Sequence, residues 1–168
     1  MRRIALGLMM MAASAAPALA QDPLPATDIT NAQVQAFLKA LPRDAISDLP
    51  IRAVDVGGYK VGVYGVFRPK TEPGDAIAHN TRTTEIYYIV EGGGTLVTGG
   101  KITNPKPPPA GRNPGPRGEK IEGGVSRHVS KGDIIIIPGR TPHWWSSLDG
   151  DINYLIYRPD PDGRMNLK

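Results

Sequence analysis

The sequence predicts an all-β fold, a double-sheet jelly roll led by one short helix. Two observations predict it. From Ile51 to Arg158 the chain divides into nine short runs rich in β-branched and aromatic residues, punctuated by glycine and proline. Ahead of them stands a single segment of helical period, with Val34, Phe37, Leu38 and Leu41 at i, i+3, i+4 and i+7. Strands at that density with one leading helix exclude an α/β architecture, and a double-sheet jelly roll accommodates them.

Residues 1–20 read as a secretory signal. Arg2 and Arg3 open the segment, an apolar run begins at Ile4, and Ala18-Leu19-Ala20 supplies small residues for cleavage. The run is too short and too alanine-rich for a membrane span. No polar segment precedes the arginine pair, so the general secretory route is expected over the twin-arginine route. A periplasmic or secreted protein follows, with no membrane association once the signal is removed. The chain has no cysteine, which excludes both a lipidated lipoprotein and a disulfide-stapled scaffold. Losing Arg2 and Arg3 lowers the formal charge from +4 to +2, so the basic balance implies no nucleic-acid partner.

Residues 21–29 are polar and contain proline, the composition of a flexible leader. Thr30-Asn31-Ala32-Gln33 then matches a capping box, and the helix should end before Pro42 with its apolar stripe against the sheet structure. Ile51–Val56, Gly57-Gly58 and Tyr59–Phe67 read as a hairpin whose glycines supply a positive φ. Further strands are expected at Ala76–His79, Thr84–Glu91, Thr95–Thr98, Val125–Ser130, Asp133–Ile137, His143–Ser147 and Ile152–Arg158. The domain should cover residues 30–160, with 161–168 as a tail.

Residues 99–125 interrupt the pattern with six prolines, seven glycines, five basic residues and only Glu119 and Glu122 as acids. That composition predicts a long surface excursion, unable to bury a core, with polyproline character at Pro107-Pro108-Pro109. It reads either as a solvent-exposed insertion or as a basic lid or docking loop at the mouth of the domain.

Two stretches resemble the paired motifs of the cupin superfamily, approximately G-x5-H-x-H-x3,4-E-x6-G and G-x5-P-x-G-x2-H-x3-N. The first is GDAIAHNTRTTEIYYIVEG, Gly74 to Gly92, with His79, Glu85 and Gly92 in place. Thr81 stands where the family has its second histidine, and Gly74 is one residue closer to His79. The second is GDIIIIPGRTPHWWSS, Gly132 to Ser147, with Pro138 and His143 in place; Gly139 sits one position early and Ser147 replaces the asparagine. The chain thus resembles small exported single-domain bacterial cupins, which implies a cupin double-stranded β-helix, a jelly-roll barrel.

The resemblance implies a divalent metal ion held by His79, Glu85 and His143. Two imidazoles and one carboxylate form the set that suits Fe(II) with open positions, and Mn, Ni or Zn are chemically acceptable. Alternation puts Glu85 on one strand face with Tyr87 and Ile89, and His143 with Trp145 and Ser147. His79 and Thr81 should likewise point together. Candidate catalytic groups are Thr81, positioning a water, and Tyr87 or His128, handling a proton; His128 reads first as a surface strand residue and second as a proton-transfer group. Tyr87 and Trp145 are either pocket walls or core. Trp144, on the opposite face, is expected against the helix or a second subunit, and the aromatic outer faces suit a homodimer.

The functional expectation is an exported metal-binding cupin, a mononuclear-metal enzyme of the dioxygenase, isomerase or lyase type acting on a small organic molecule. The alternative is a non-catalytic cupin that binds a sugar or small carboxylate. A third class is a barrel that binds a partner through the proline-rich insertion.

Overall fold

The computed structural model describes residues 23–107 and 115–168. The expected secretory signal and the Pro108-Pro109 stretch lie outside the described residues. Helix α1 spans Asn31–Ala40 and carries the expected capping box. The Gln33 amide donates to Thr30 Oγ1 at 3.2 Å, and the Thr30 amide donates to Gln33 Oε1 at 2.8 Å. Two otherwise unpaired helix-end donors are thereby satisfied, and replacing the cap by alanine should cost about 1 kcal/mol. Val34, Phe37 and Leu38 seat the helix on Phe67, Val90 and Leu155. No helix of the described residues is long and apolar enough to cross a membrane.

Twelve strands are found among the described residues. They are β1 (Ser47–Asp55), β2 (Lys60–Arg68), β3 (Ala76–Ile77), β4 (Glu85–Glu91), β5 (Gly93–Thr98), β6 (Lys101–Ile102), β7 (Arg117–Gly118), β8 (Ile121–Glu122), β9 (Val125–Ser130), β10 (Ile134–Ile137), β11 (His143–Leu148) and β12 (Ile152–Asp160). The nine expected strands are all present, and the hairpin glycines Gly57 and Gly58 have φ of 94° and 110°.

One sheet runs β1-β2-β12-β4-β10 and the other β7-β3-β11-β5-β9. With β1 and the insertion strands β6, β7 and β8 set aside, of which β6 and β8 form a small ladder of their own, successive strands fall in opposite sheets except where β5 leads to β9. This is the double-sheet jelly roll that the sequence predicts. The expected closed barrel is corrected. Among the described residues no ladder joins an edge of one sheet to an edge of the other, so the architecture is an open sandwich. The edges resist closure for local reasons: β1 is bulged between Pro50 and Arg52, and β7 is only two residues long.

Alternation decides what each strand buries. Tyr87 and Ile89 of β4, Ile135 and Ile137 of β10, Trp145 of β11, and Ile152, Tyr154 and Ile156 of β12 meet between the sheets. Each such side chain contributes roughly 1.5–3 kcal/mol by leaving water. The opposite parity of β10 leaves Ile134 and Ile136 in solvent, 66% and 65% exposed.

The insertion departs from expectation. It is a continuation of the β5–β9 hairpin in unbroken register: Thr98 opposes Val125, Lys101 opposes Glu122, Ile102 opposes Ile121 and Lys106 opposes Arg117. Its returning arm, β7, then pairs with β3 at the far edge of the same sheet. The hairpin therefore crosses the outer face of that sheet. There Ile102 and Ile121 are buried with Ala76, Ala78 and Val97, and Trp144 packs against them. Two corrections follow. The insertion does bury apolar side chains, and Trp144 packs beneath the hairpin, with its indole N–H donating to Gly74 O at 3.2 Å, away from the helix. The bends that allow this fall at Gly99-Gly100 and Gly123, all with positive φ.

Candidate metal centre

Strand parity gathers polar side chains at one end of the sandwich. Glu85 opens β4 on the face of Tyr87 and Ile89, and His143 opens β11 on the face of Trp145. His79 arrives from the loop after β3. The strand expected over Ala76–His79 stops at Ile77, so the loop, and not strand alternation, orients His79 and Thr81.

His79 Nε2 lies 3.3 Å from Glu85 Oε1, and His143 Nε2 lies 3.2 Å from Glu85 Oε2. The three ligand atoms fall within 4.8 Å of one another, and all three residues are buried. His143 Nδ1 lies 2.9 Å from Thr141 O. A carbonyl only accepts, so Nδ1 carries a proton, and Nε2 is the ring nitrogen turned toward Glu85. The tight turn before β11 makes this contact: the Thr141 amide donates to Pro138 O at 3.1 Å, and Arg140 adopts φ 68°.

Glu85 is held from two sides. Arg158 Nε donates to Oε1 at 2.7 Å, and the Tyr87 hydroxyl donates to Oε2 at 3.1 Å. Burial pushes the Glu85 carboxyl up, but the Arg158 guanidinium and the two imidazoles outweigh it and hold the group well below the usual carboxylate range. Burial, reinforced by the Glu85 charge, pushes the Tyr87 phenol well above its ordinary value, so it stays protonated as a donor.

A divalent cation fits this donor set. The Nε2 atoms of His79 and His143 are both buried without a hydrogen-bond partner, although each is close to a carboxylate oxygen. Orphaned buried nitrogens are rare, and two that converge beside one carboxylate have an evident use as ligands. Each Glu85 oxygen has given one of its two lone pairs to Arg158 or Tyr87, leaving one apiece. The Thr141 contact on His143 is the kind of outer support that fixes a ligating imidazole.

The other expected site residues fall in different places. Tyr87 touches Glu85 directly. Thr81 is buried two positions after His79 but does not line the adjoining cavity. Trp145 lies in the core, its ring 5.9 Å from Tyr154, and is also absent from the cavity wall. His128 neighbours inward-facing Val129, so it lies on the outer face of β9, where Nε2 meets Asp149 Oδ2 at 2.8 Å. It does not reach the cluster.

The cavity, about 710 Å³, is bordered by His79, Glu85, Tyr87, Arg68, Arg117 and Arg158, among others. Arg68 and Arg158 are not expected from the sequence. Strand parity signals both: Arg68 shares a face with Tyr64 and Val66 on β2, and Arg158 with Tyr154 and Ile156 on β12. Arg158 also grips Asp48 with both terminal nitrogens, at 3.0 and 2.7 Å, and lies 4.2 Å over the Tyr64 ring.

No family model matches the chain, and no curated protein does. Solved structures do. The chain is similar to the DMSP lyase DddQ of Ruegeria pomeroyi, at 15% identity over 86% of this chain and 79% of that one, TM-score 0.48. It is similar to a Bacillus halodurans protein at 14% identity over 82% and 83%, TM-score 0.47. An RmlC-like cupin family protein of Methanocaldococcus jannaschii matches at 15% identity over 73% and 89%, TM-score 0.43. The jelly-roll assignment stands on the strand order of the chain itself.

Proposed function

We propose that this chain is an exported metal-binding protein of the cupin kind, a mononuclear-metal enzyme acting on a small organic molecule. The observation that carries the reading is the pair of orphaned imidazole nitrogens beside the Glu85 carboxylate. A divalent ion held there supplies Lewis-acid polarisation or a meeting point for substrate and oxygen. The chain itself supplies the rest. Arg158 and Tyr87 fix the rotamer of Glu85, Thr141 fixes the tautomer of His143, and Tyr87 carries a hydroxyl at the cavity wall.

Metal analysis of protein recovered from the periplasm tests the reading, with His79→Ala and His143→Ala alongside. About one equivalent in the native protein, lost in both variants, is expected. Sub-stoichiometric metal under replete conditions would sink it. N-terminal sequencing of the same sample checks export, with Gln21 as the expected first residue.

One observation favours a second reading, a non-catalytic binder of a sugar or small carboxylate. Glu85 already answers a guanidinium at 2.7 Å, which lessens the charge it offers a cation. Thermal stabilisation by carbohydrates or carboxylates that is indifferent to chelator would favour this reading.

A further inference from the structure

Among the described residues, Arg68 is a cation without an ion-pair partner. Its Nε donates to the Tyr154 hydroxyl at 2.8 Å and its Nη1 to Pro73 O at 2.6 Å, and both acceptors are neutral. The other cavity arginines have acids: Arg158 has Glu85 and Asp48, and Arg117 has Asp75. Among the described residues no carboxylate comes within the 4.0 Å of an ion pair with Arg68. Holding a guanidinium against a protein wall without an anion is costly, and such groups are ordinarily paired.

The surroundings are built for this placement. Gly74, with φ 90°, leaves the space that the guanidinium fills; a Cβ there would lie 2.6 Å from Arg68 Nη1. Of five guanidinium donors, two are taken and three remain, and Arg68 is among the residues that border the cavity. From Arg68 a continuous path leads to the metal cluster: Tyr154 accepts its Nε, the Tyr154 ring lies 4.9 Å from that of Tyr87, and Tyr87 donates to Glu85.

We propose that Arg68 is the carboxylate-binding group of this cavity, taking the anionic end of a small organic acid end-on and turning the remainder toward His79, Glu85 and His143. The orientation toward the cluster rests on the metal reading; the carboxylate contact does not. A planar fork matches two carboxylate oxygens. A phosphate dianion would suit the same donors but would meet stronger repulsion from Asp44, Glu72 and Asp75, which also border the cavity. The cavity volume is in the range that small-molecule sites occupy.

Calorimetric titration of the full mature chain with lactate, lactamide and inorganic phosphate, each with chelator and with added Mn(II), tests the proposal. Lactate should bind more tightly than lactamide in both conditions, and Arg68→Gln should weaken lactate by roughly ten- to a hundredfold. Arg68→Lys, which keeps the charge without the fork, should fall between. Equal binding of lactate and lactamide, no lactate binding at millimolar concentration, tighter phosphate than lactate, or unchanged lactate affinity in folded Arg68→Gln would each overturn it. The lactate and lactamide comparison needs no variant, so it holds even if Arg68→Gln fails to fold. Lactate binding that persists while Mn(II) produces no heat removes the metal reading alone.

Discussion

Arg158 and Glu85 meet at 2.7 Å inside the sandwich, and the same guanidinium reaches out to clasp Asp48 on the edge strand β1. Arg158→Met leaves the buried Glu85 charge without its main partner. A loss of roughly 3–5 kcal/mol is expected. That corresponds to a melting point lower by about 6–20 °C in a domain of this size. Calorimetric melting checks it, and a drop of only a degree or two would show that the pair is not holding the site.

The two imidazoles should be indispensable to metal binding, and the third histidine should not. His79→Ala and His143→Ala should lower affinity for Zn(II) or Mn(II) by more than the ~10–100-fold that losing a supporting residue costs. His128→Ala, on the outer face of β9, should leave it unchanged. Competition titration against a chromophoric chelator measures all three.

Acid should erode stability through Glu85. Its folded value is depressed, so the stability it contributes is complete above the unfolded value near ~4.3 and disappears as pH falls through the lower folded value. Glu85→Gln removes that contribution. The melting-point gap between wild type and Glu85→Gln, measured with chelator from about pH 7 to about pH 3, should therefore narrow on acidification. A gap that widened would contradict the assigned sign.

The hairpin over the second sheet should respond to mutation as core. Ile102→Ala or Ile121→Ala should destabilise by about 2 kcal/mol, the low end for buried isoleucine because each is still 7–8% exposed. Substitutions in a solvated loop stay within about 0.5 kcal/mol. Urea denaturation separates the two outcomes.

The residues that read well from sequence are those whose alternation is uninterrupted. Glu85, Tyr87 and Ile89 keep strict parity with an apolar run, so both the strand and its inward face were legible, and the resemblance brought His79 and His143 to the same place. Arg158 was legible as a strand residue but not as an inward one, and Arg68 fell one residue past the expected end of its strand at Phe67. A charged side chain conflicts with the expectation of an apolar core, and its acceptors, Tyr154, Pro73, Glu85 and Asp48, lie on other segments. In the insertion, glycine and proline obscured a two-residue period that survives only at Ile102 and Ile121. Which strands it would pair with depends on contacts distant in sequence, which composition does not report.

The hairpin that leaves the second sheet at β5 and β9 and ends bonded to β3 acts as a belt buckled across that sheet. The loop bearing His79 starts where the buckle fastens, and Ala78 N donates to Pro116 O at 3.1 Å just before it. Lifting that corner requires the belt to come away too. Hydrogen exchange at the His79 loop should therefore track that of the hairpin as one cooperative opening, which ties the mobility of one candidate ligand to a segment that supplies none.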